Sequence, residues 1–229
     1  MDVNYFLKKR TKFIRFYYDA AAKPFADVKV AIENAEPPYD DAPPYDASCE
    51  EPPFLDDWME AHAATNVLGL SCVSLLSDSL KLYFHALKTR VIGFGFWDEK
   101  QAFKSGFVHA YLDVLEEILD TDWSDCPAKL DVIEQIVLAR NRGQHGESVR
   151  DFDVTHDHST MRKYPNPFFT NKEELESLPE WKDEGSTFLL PAVEVTRAKL
   201  FGALDEVEKL AEYIESRFGK AFEWRTHAK

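Results

Sequence analysis

The densest set of chemistry-bearing side chains lies in Leu138-Ala139-Arg140-Asn141-Arg142-Gly143-Gln144-His145-Gly146. Arginine is a fixed cation whose donor fork matches a phosphate. Histidine has the ordinary pKa best suited to proton transfer near neutrality. An asparagine between them can orient either a phosphate or an imidazole. These types fit displacement at a phosphate, with Arg140 stabilising charge, His145 moving a proton and Asn141 positioning. Arg142 and Gln144 add donors for holding substrate. In a straight helix, positions five apart diverge by about 140° around the axis. Arg140 and His145 therefore do not meet by spacing alone. Gly143 can take a left-handed conformation, end the helix and turn His145 back toward Arg140. The plainer reading of the same residues is that both arginines favour the negative end of a helix dipole, with His145 an ordinary loop histidine.

Other clusters are weaker. In Asp153-Val-Thr-His156-Asp157-His158, the two histidines share a side of an extended chain and could bind one metal. No third ligand is placed by sequence, so a solvated polar loop is preferred and no metal is expected. His109 and Asp113 stand four apart, which suits an exposed salt link. Asp120-x-Asp122-x-Ser124 begins like a calcium loop, but it has Asp125 where glycine is needed and Asp131 where glutamate is needed. Asp78 and His85 sit amid apolar residues. Asp78 is a candidate to hold Arg140, although a solvent-facing stripe with Ser74, Ser77 and Lys81 is simpler. Cys72 reads as a core thiol with no local cation to activate it.

The elements that must position these groups are helical. Residues 4–35 carry Phe6, Phe13, Ile14, Tyr17 and Tyr18 at three- and four-residue spacing, and Pro24 is expected to kink this helix or start a second one. Residues 56–90 form the longest helical pattern, capped at Asp56 or Asp57. Its apolar residues cover most of the circumference from 67 to 76, the pattern of a helix at the centre of a bundle. Residues 91–103 read as a loop. Residues 104–119, 127–142 and 192–218 are amphipathic helices, the second with Pro127 in its first turn. Residues 147–190 lack sustained periodicity, apart from a short helix at 171–177 and a strand stub at 187–190. The expected fold is all-α: an up-and-down bundle of about five helices, with a long irregular insertion before the C-terminal helix. The expected organisation is an N-terminal helical segment (1–35), a connector (36–55), a bundle (56–218) that includes the 147–190 insertion, and a tail (219–229).

The 229 residues suffice for one large domain. Apolar content of 45% excludes wholesale disorder. The three cysteines form no C-x-x-C pair and read as reduced thiols in a cytoplasmic protein. No run of about 18 apolar residues predicts a membrane span, and no apolar run follows the cations of residues 1–10 to suggest a signal peptide. The formal charge of −14 argues against a protein that coats nucleic acid. The charge is uneven, however: residues 1–35 are net +3, residues 36–60 net −9 and residues 129–163 neutral. Residues 36–53 hold PPYD twice, with six prolines and six acids, which predicts an extended, mobile connector.

With its arginine, the adjoining asparagine and a histidine after four intervening residues, Arg140-Asn141-x-x-x-His145 resembles the signature of the HEPN superfamily (higher eukaryotes and prokaryotes nucleotide-binding). The resemblance covers roughly 56–218. It implies a helical bundle with the motif at the end of an inner helix, homodimers whose two motifs face one cleft, and metal-independent RNA cleavage in toxins or antiviral defence. It implies no cofactor. A regulatory or antitoxin protein is a further expected partner. Some family toxins carry a tyrosine two residues after the histidine, which a partner nucleotidyltransferase modifies; here that residue is Glu147. The alternative within the same family is a non-catalytic module that binds a nucleotide or a protein.

Overall fold

A computed structural model describes residues 2–41, 51–144, 154–178 and 190–227. These are all-helical; among them the one β-type contact is an antiparallel bridge between Thr155 and Ala192. The helices are α1 (Val3–Glu33), α2 (Leu55–Ala86), α3 (Glu99–Ala102), α4 (Phe107–Leu119), α5 (Leu130–Gln144), α6 (His158–Lys163), α7 (Lys172–Ser177), α8 (Arg197–Ser216) and α9 (Phe218–His227).

Helix α2 is central and packs against α1, α5 and α8. Its broad apolar surface requires this: Leu68, Leu70, Cys72, Val73 and Leu76 are all buried, although Val67 and Leu82 reach solvent. Burial pushes the Cys72 thiol up to about 11, so it stays protonated. By length and average composition, Leu55–Ile92 is apolar enough to cross a membrane, but 61% of its most apolar window is buried against the rest of the protein. Contacts at both ends fix the helix directions. Helix α1 runs antiparallel to α2, with Trp58 Nε1 donating to Glu33 and Arg10 Nε to Ser79. It is also antiparallel to α8, through Asn4–Glu215 at one end and Asp19–Arg197 at the other.

Local outcomes differ from expectation where tertiary packing intervenes. Helix α1 runs through Pro24 without a break. Helix α2 starts at Leu55 behind a left-handed Phe54, with Asp56 and Asp57 in its first turn rather than as its cap. Its far end passes into a π-helical turn, Leu87–Ile92, that stops at Gly93 with φ of 81°. The expected 104–119 helix begins only at Phe107, after α3 and a 3-10 turn. Asp122 caps a 3-10 turn by accepting from Ser124 N–H, which is the work its calcium-loop-like sequence does. Residues expected to form a tail include α9, which packs on α4 and buries Ala221. The 187–190 strand stub falls largely, and Cys49 and Asp153 wholly, outside the described residues.

The segment before α8 crosses α2 in extended form. Asn66 is its fixing point: Nδ2 donates to Val193 O, and Oδ1 accepts from Val195 N–H, at 3.3 and 3.1 Å. Gly69 lets the segment pass. A Cβ on Gly69 would lie 2.7 Å from both the Cβ and the carbonyl oxygen of Val195.

Candidate functional site

Helix α5 places the motif. Its first turn is held by Glu206 of α8, which accepts from Lys129 N–H at 2.7 Å. Val132, Ile133, Ile136 and Ala139 then bury one face, which sets the direction in which Arg140 emerges. The helix does not end at Gly143 but continues through Gln144. Gly143 keeps a negative φ, and its lack of a side chain serves packing: a Cβ there would meet the Leu70 side chain of α2 at 3.3 Å. The left-handed reversal expected at Gly143 is thus absent, because close approach to α2 uses the glycine instead. His145 lies outside the described residues.

Arg140 is 30% exposed, and its guanidinium lies 4.0 Å from the Asp78 carboxylate across the α2–α5 boundary. One terminal nitrogen also donates to Asn141 Oδ1 at 3.2 Å. Its Nε is buried without a hydrogen-bond partner among the described residues. Asn141 and Gln144 are exposed at the helix end. Arg142 turns the other way, and its Nε donates to Thr155 O at 2.6 Å, tying α5 to the start of the segment that bridges Ala192. Asp78 is solvent-facing, as the stripe reading has it, and it also faces Arg140. Ser77, by contrast, is buried.

Beside Asp78 opens a cleft of about 840 Å³ lined by Arg10, Lys81, Leu82, His85, Lys100 and Phe103, among others. The cleft is large enough for a nucleotide-sized ligand, and Asp78 is the lining residue that Arg140 approaches. The arrangement supplies a fixed cation whose nearest countercharge is a half-exposed carboxylate. An incoming phosphate can replace that carboxylate.

The other clusters resolve differently. His156 is not in a solvated loop but is 3% exposed, with Nε2 against Phe169 O at 3.1 Å and Thr170 Oγ1 at 2.7 Å. Burial lowers its pKa and keeps the ring neutral. Asp157 caps α6. Among the described residues, no three potential ligands come together to hold a metal. His109 pairs with Glu134 at 2.9 Å rather than with Asp113. Glu134 also accepts from Lys163 and from the Tyr164 hydroxyl, which joins α4, α5 and α6. Burial raises the Glu134 pKa, but the three donors outweigh it and hold the carboxyl below its usual range. Sequence spacing carries no signal for this four-residue knot, because His109, Lys163 and Tyr164 lie 25, 29 and 30 positions from Glu134. The chain matches no family model, and no similar curated protein or solved structure was found.

Proposed function

We propose that this protein is a HEPN-like, metal-independent endoribonuclease, acting in the cytoplasm as a homodimer in toxin, antiviral or stress-response biology. The observation that carries the reading is Arg140: a partly exposed guanidinium near the C-terminal end of α5, 4.0 Å from Asp78, a carboxylate that lines a nucleotide-sized cleft. The RNA 2′-hydroxyl attacks the adjacent phosphorus, and the bond to the 5′-oxygen breaks. His145 accepts the proton from the 2′-hydroxyl, and His145 of the second copy donates one to the leaving 5′-oxygen. Arg140 stabilises the charge on phosphate, while Asn141 positions it. Gln144 is free to touch the strand; Arg142 contributes by fixing the end of α5. DNA, which lacks the 2′-hydroxyl, is spared.

The test is RNA cleavage by purified protein in excess EDTA, beside Arg140→Ala and His145→Ala. The expected result is cleavage leaving 2′,3′-cyclic phosphate and 5′-hydroxyl ends, reduced about 10²–10⁴-fold by either substitution. A folded parent that cuts neither structured nor unstructured RNA overturns the reading. The second reading, a non-catalytic HEPN-like module for a nucleotide or a regulatory or antitoxin protein, is favoured by the net charge of −14. It predicts binding through the same cleft without scission.

A further inference from the structure

Helices α1 and α2 leave an open groove on their outer side. Three hollows of about 840, 410 and 100 Å³ adjoin these helices, the largest walled also by the α3–α4 region, and Arg10 lines all three. Four cations line these hollows: Lys9, Arg10, Lys81 and Lys100. None of the four is in an ion pair among the described residues. Arg10 donates Nε–H to the neutral Ser79 hydroxyl at 2.8 Å, and Lys9 lies over the Tyr5 ring. The two acids in the same lining are each matched already, Asp78 by Arg140 and Glu99 by Lys88. The linings thus carry four cations against two acids, an excess of positive charge on a chain whose net charge is −14.

The groove also carries aromatic rings. Phe6 and Phe13 are 50% and 56% exposed, and both line it. The Phe13 ring stacks nearly parallel on Tyr17, at 8° and 6.0 Å between centroids. Cations without carboxylate partners beside exposed ring faces are what a single-stranded nucleic acid requires: charge for the backbone and stacking platforms for unpaired bases. A duplex hides its base faces and gains nothing from the rings.

We propose that this α1–α2 groove binds single-stranded RNA and leads it past Asp78 to Arg140, an inference that rests on the ribonuclease reading. The phosphate reaching the cleft displaces Asp78 from Arg140, and the strand lies along Arg10 with bases against Phe13 and Phe6.

The test uses the full chain and a labelled 2′-O-methyl oligouridine, which binds like RNA but cannot be cut by 2′-hydroxyl attack. Anisotropy is measured across a salt series for the parent, Phe13→Ala, Phe6→Ala and the Arg10→Gln/Lys81→Gln pair. All four positions are exposed, and thermal melts verify folding. Cleavage of unmodified RNA is assayed in parallel, with Arg140→Ala as reference. Each ring removal should weaken binding about tenfold. The paired charge removal should lower the salt slope by about 0.7 for each cation. Cleavage should fall in step. If the parent cleaves with dependence on Arg140 while the groove variants bind and cleave like the parent, the groove inference fails and the ribonuclease reading stands. Weakened binding by the groove variants with no cleavage by the parent keeps the groove and removes the nuclease. A folded parent that neither binds nor cleaves ends both. If Phe13→Ala changes the sedimentation of the free protein but not its affinity for the oligonucleotide, the face belongs to a second copy of this chain, and the inference is overturned.

Discussion

Glu134 and His156 show opposite uses of burial, and each makes a pH prediction. Glu134 is depressed below the usual carboxylate range, because Lys163, Tyr164 and His109 outweigh its desolvation. Its stabilising contribution is complete above the ordinary carboxylate pKa and is lost as pH falls through its lowered value. Glu134→Gln should cost about 2 kcal/mol in urea denaturation at neutral pH, the scale of a charge-assisted hydrogen bond in a partly buried site. The cost should shrink toward about pH 3. An equal cost at both pH values would show that the knot acts through shape rather than charge. His156 is depressed by desolvation, with the hydrogen bond to the Phe169 carbonyl and Asp157 opposing and Arg142 and Lys199 reinforcing the shift. Here the unfolded chain takes up the proton first, so stability is complete above about pH 6.5 and declines as pH falls from there toward the folded value. The parent should be less stable at about pH 5.5 than at about pH 7.5, and His156→Gln should narrow that difference. An unchanged pH dependence in the variant would assign it to other groups. Neither role is legible in the sequence. The Asp-x-x-His-Asp-His cluster reads as polar because its residue types are polar. Only the return of Phe169 and Thr170 over His156 turns it into a core position.

At the scale of elements, periodicity is informative where one helix face alone decides burial, and it fails where backbones meet. The apolar residues that cover most of the circumference of α2 from 67 to 76 mark the centre of the helix assembly, and the isolated 171–177 pattern becomes α7. Gly143 reads from sequence as a helix stop, yet in the structure it is a contact between α5 and α2. A glycine that turns the chain and a glycine that admits a neighbour look identical without the neighbour. Gly69 is the stronger case. Mid-helix glycine costs about 1 kcal/mol relative to alanine, so propensity alone predicts that Gly69→Ala stabilises α2. The added methyl would sit 2.7 Å from a backbone oxygen of the crossing segment, and backbone cannot step aside as a side-chain tip does. Overpacking of about 1–3 kcal/mol outweighs the propensity gain. Gly69→Ala should therefore lower the melting temperature and loosen the Asn66 hydrogen bonds to Val193 and Val195. Hydrogen exchange at Val195 N–H reads that second effect directly. A raised melting temperature with unchanged exchange would mean that the crossing leaves room for the methyl.

For the whole molecule, the candidate site is legible as a place but not as a constellation. Arg140 stands near the C-terminal end of α5, while the cleft that Asp78 lines is assembled from α1, α2 and the region around α3 and α4. Spacing cannot show that Arg10 comes near Asp78, because a connector rich in proline and acid separates them. The same connector makes residues 1–35 look detachable. In the structure α1 packs along α2 and α8, and Val3, Leu7, Ile14 and Tyr18 are all at most 4% exposed. Burying a large apolar side chain contributes about 1.5–3 kcal/mol, so four of them approach the entire net stability of a typical domain, about 5–15 kcal/mol. The Arg15 pairs with Asp205 and Glu208, and the Arg197–Asp19 pair, add little on a surface but fix the register of α1 on α8. A fragment of residues 54–229 should accordingly lose cooperative thermal unfolding or aggregate, and adding back a peptide of residues 1–35 should restore helicity and a sigmoidal melt. If the fragment instead melts cooperatively at the temperature of the full chain, α1 is an appendage. The groove between α1 and α2 would then be a surface the protein can open without unfolding.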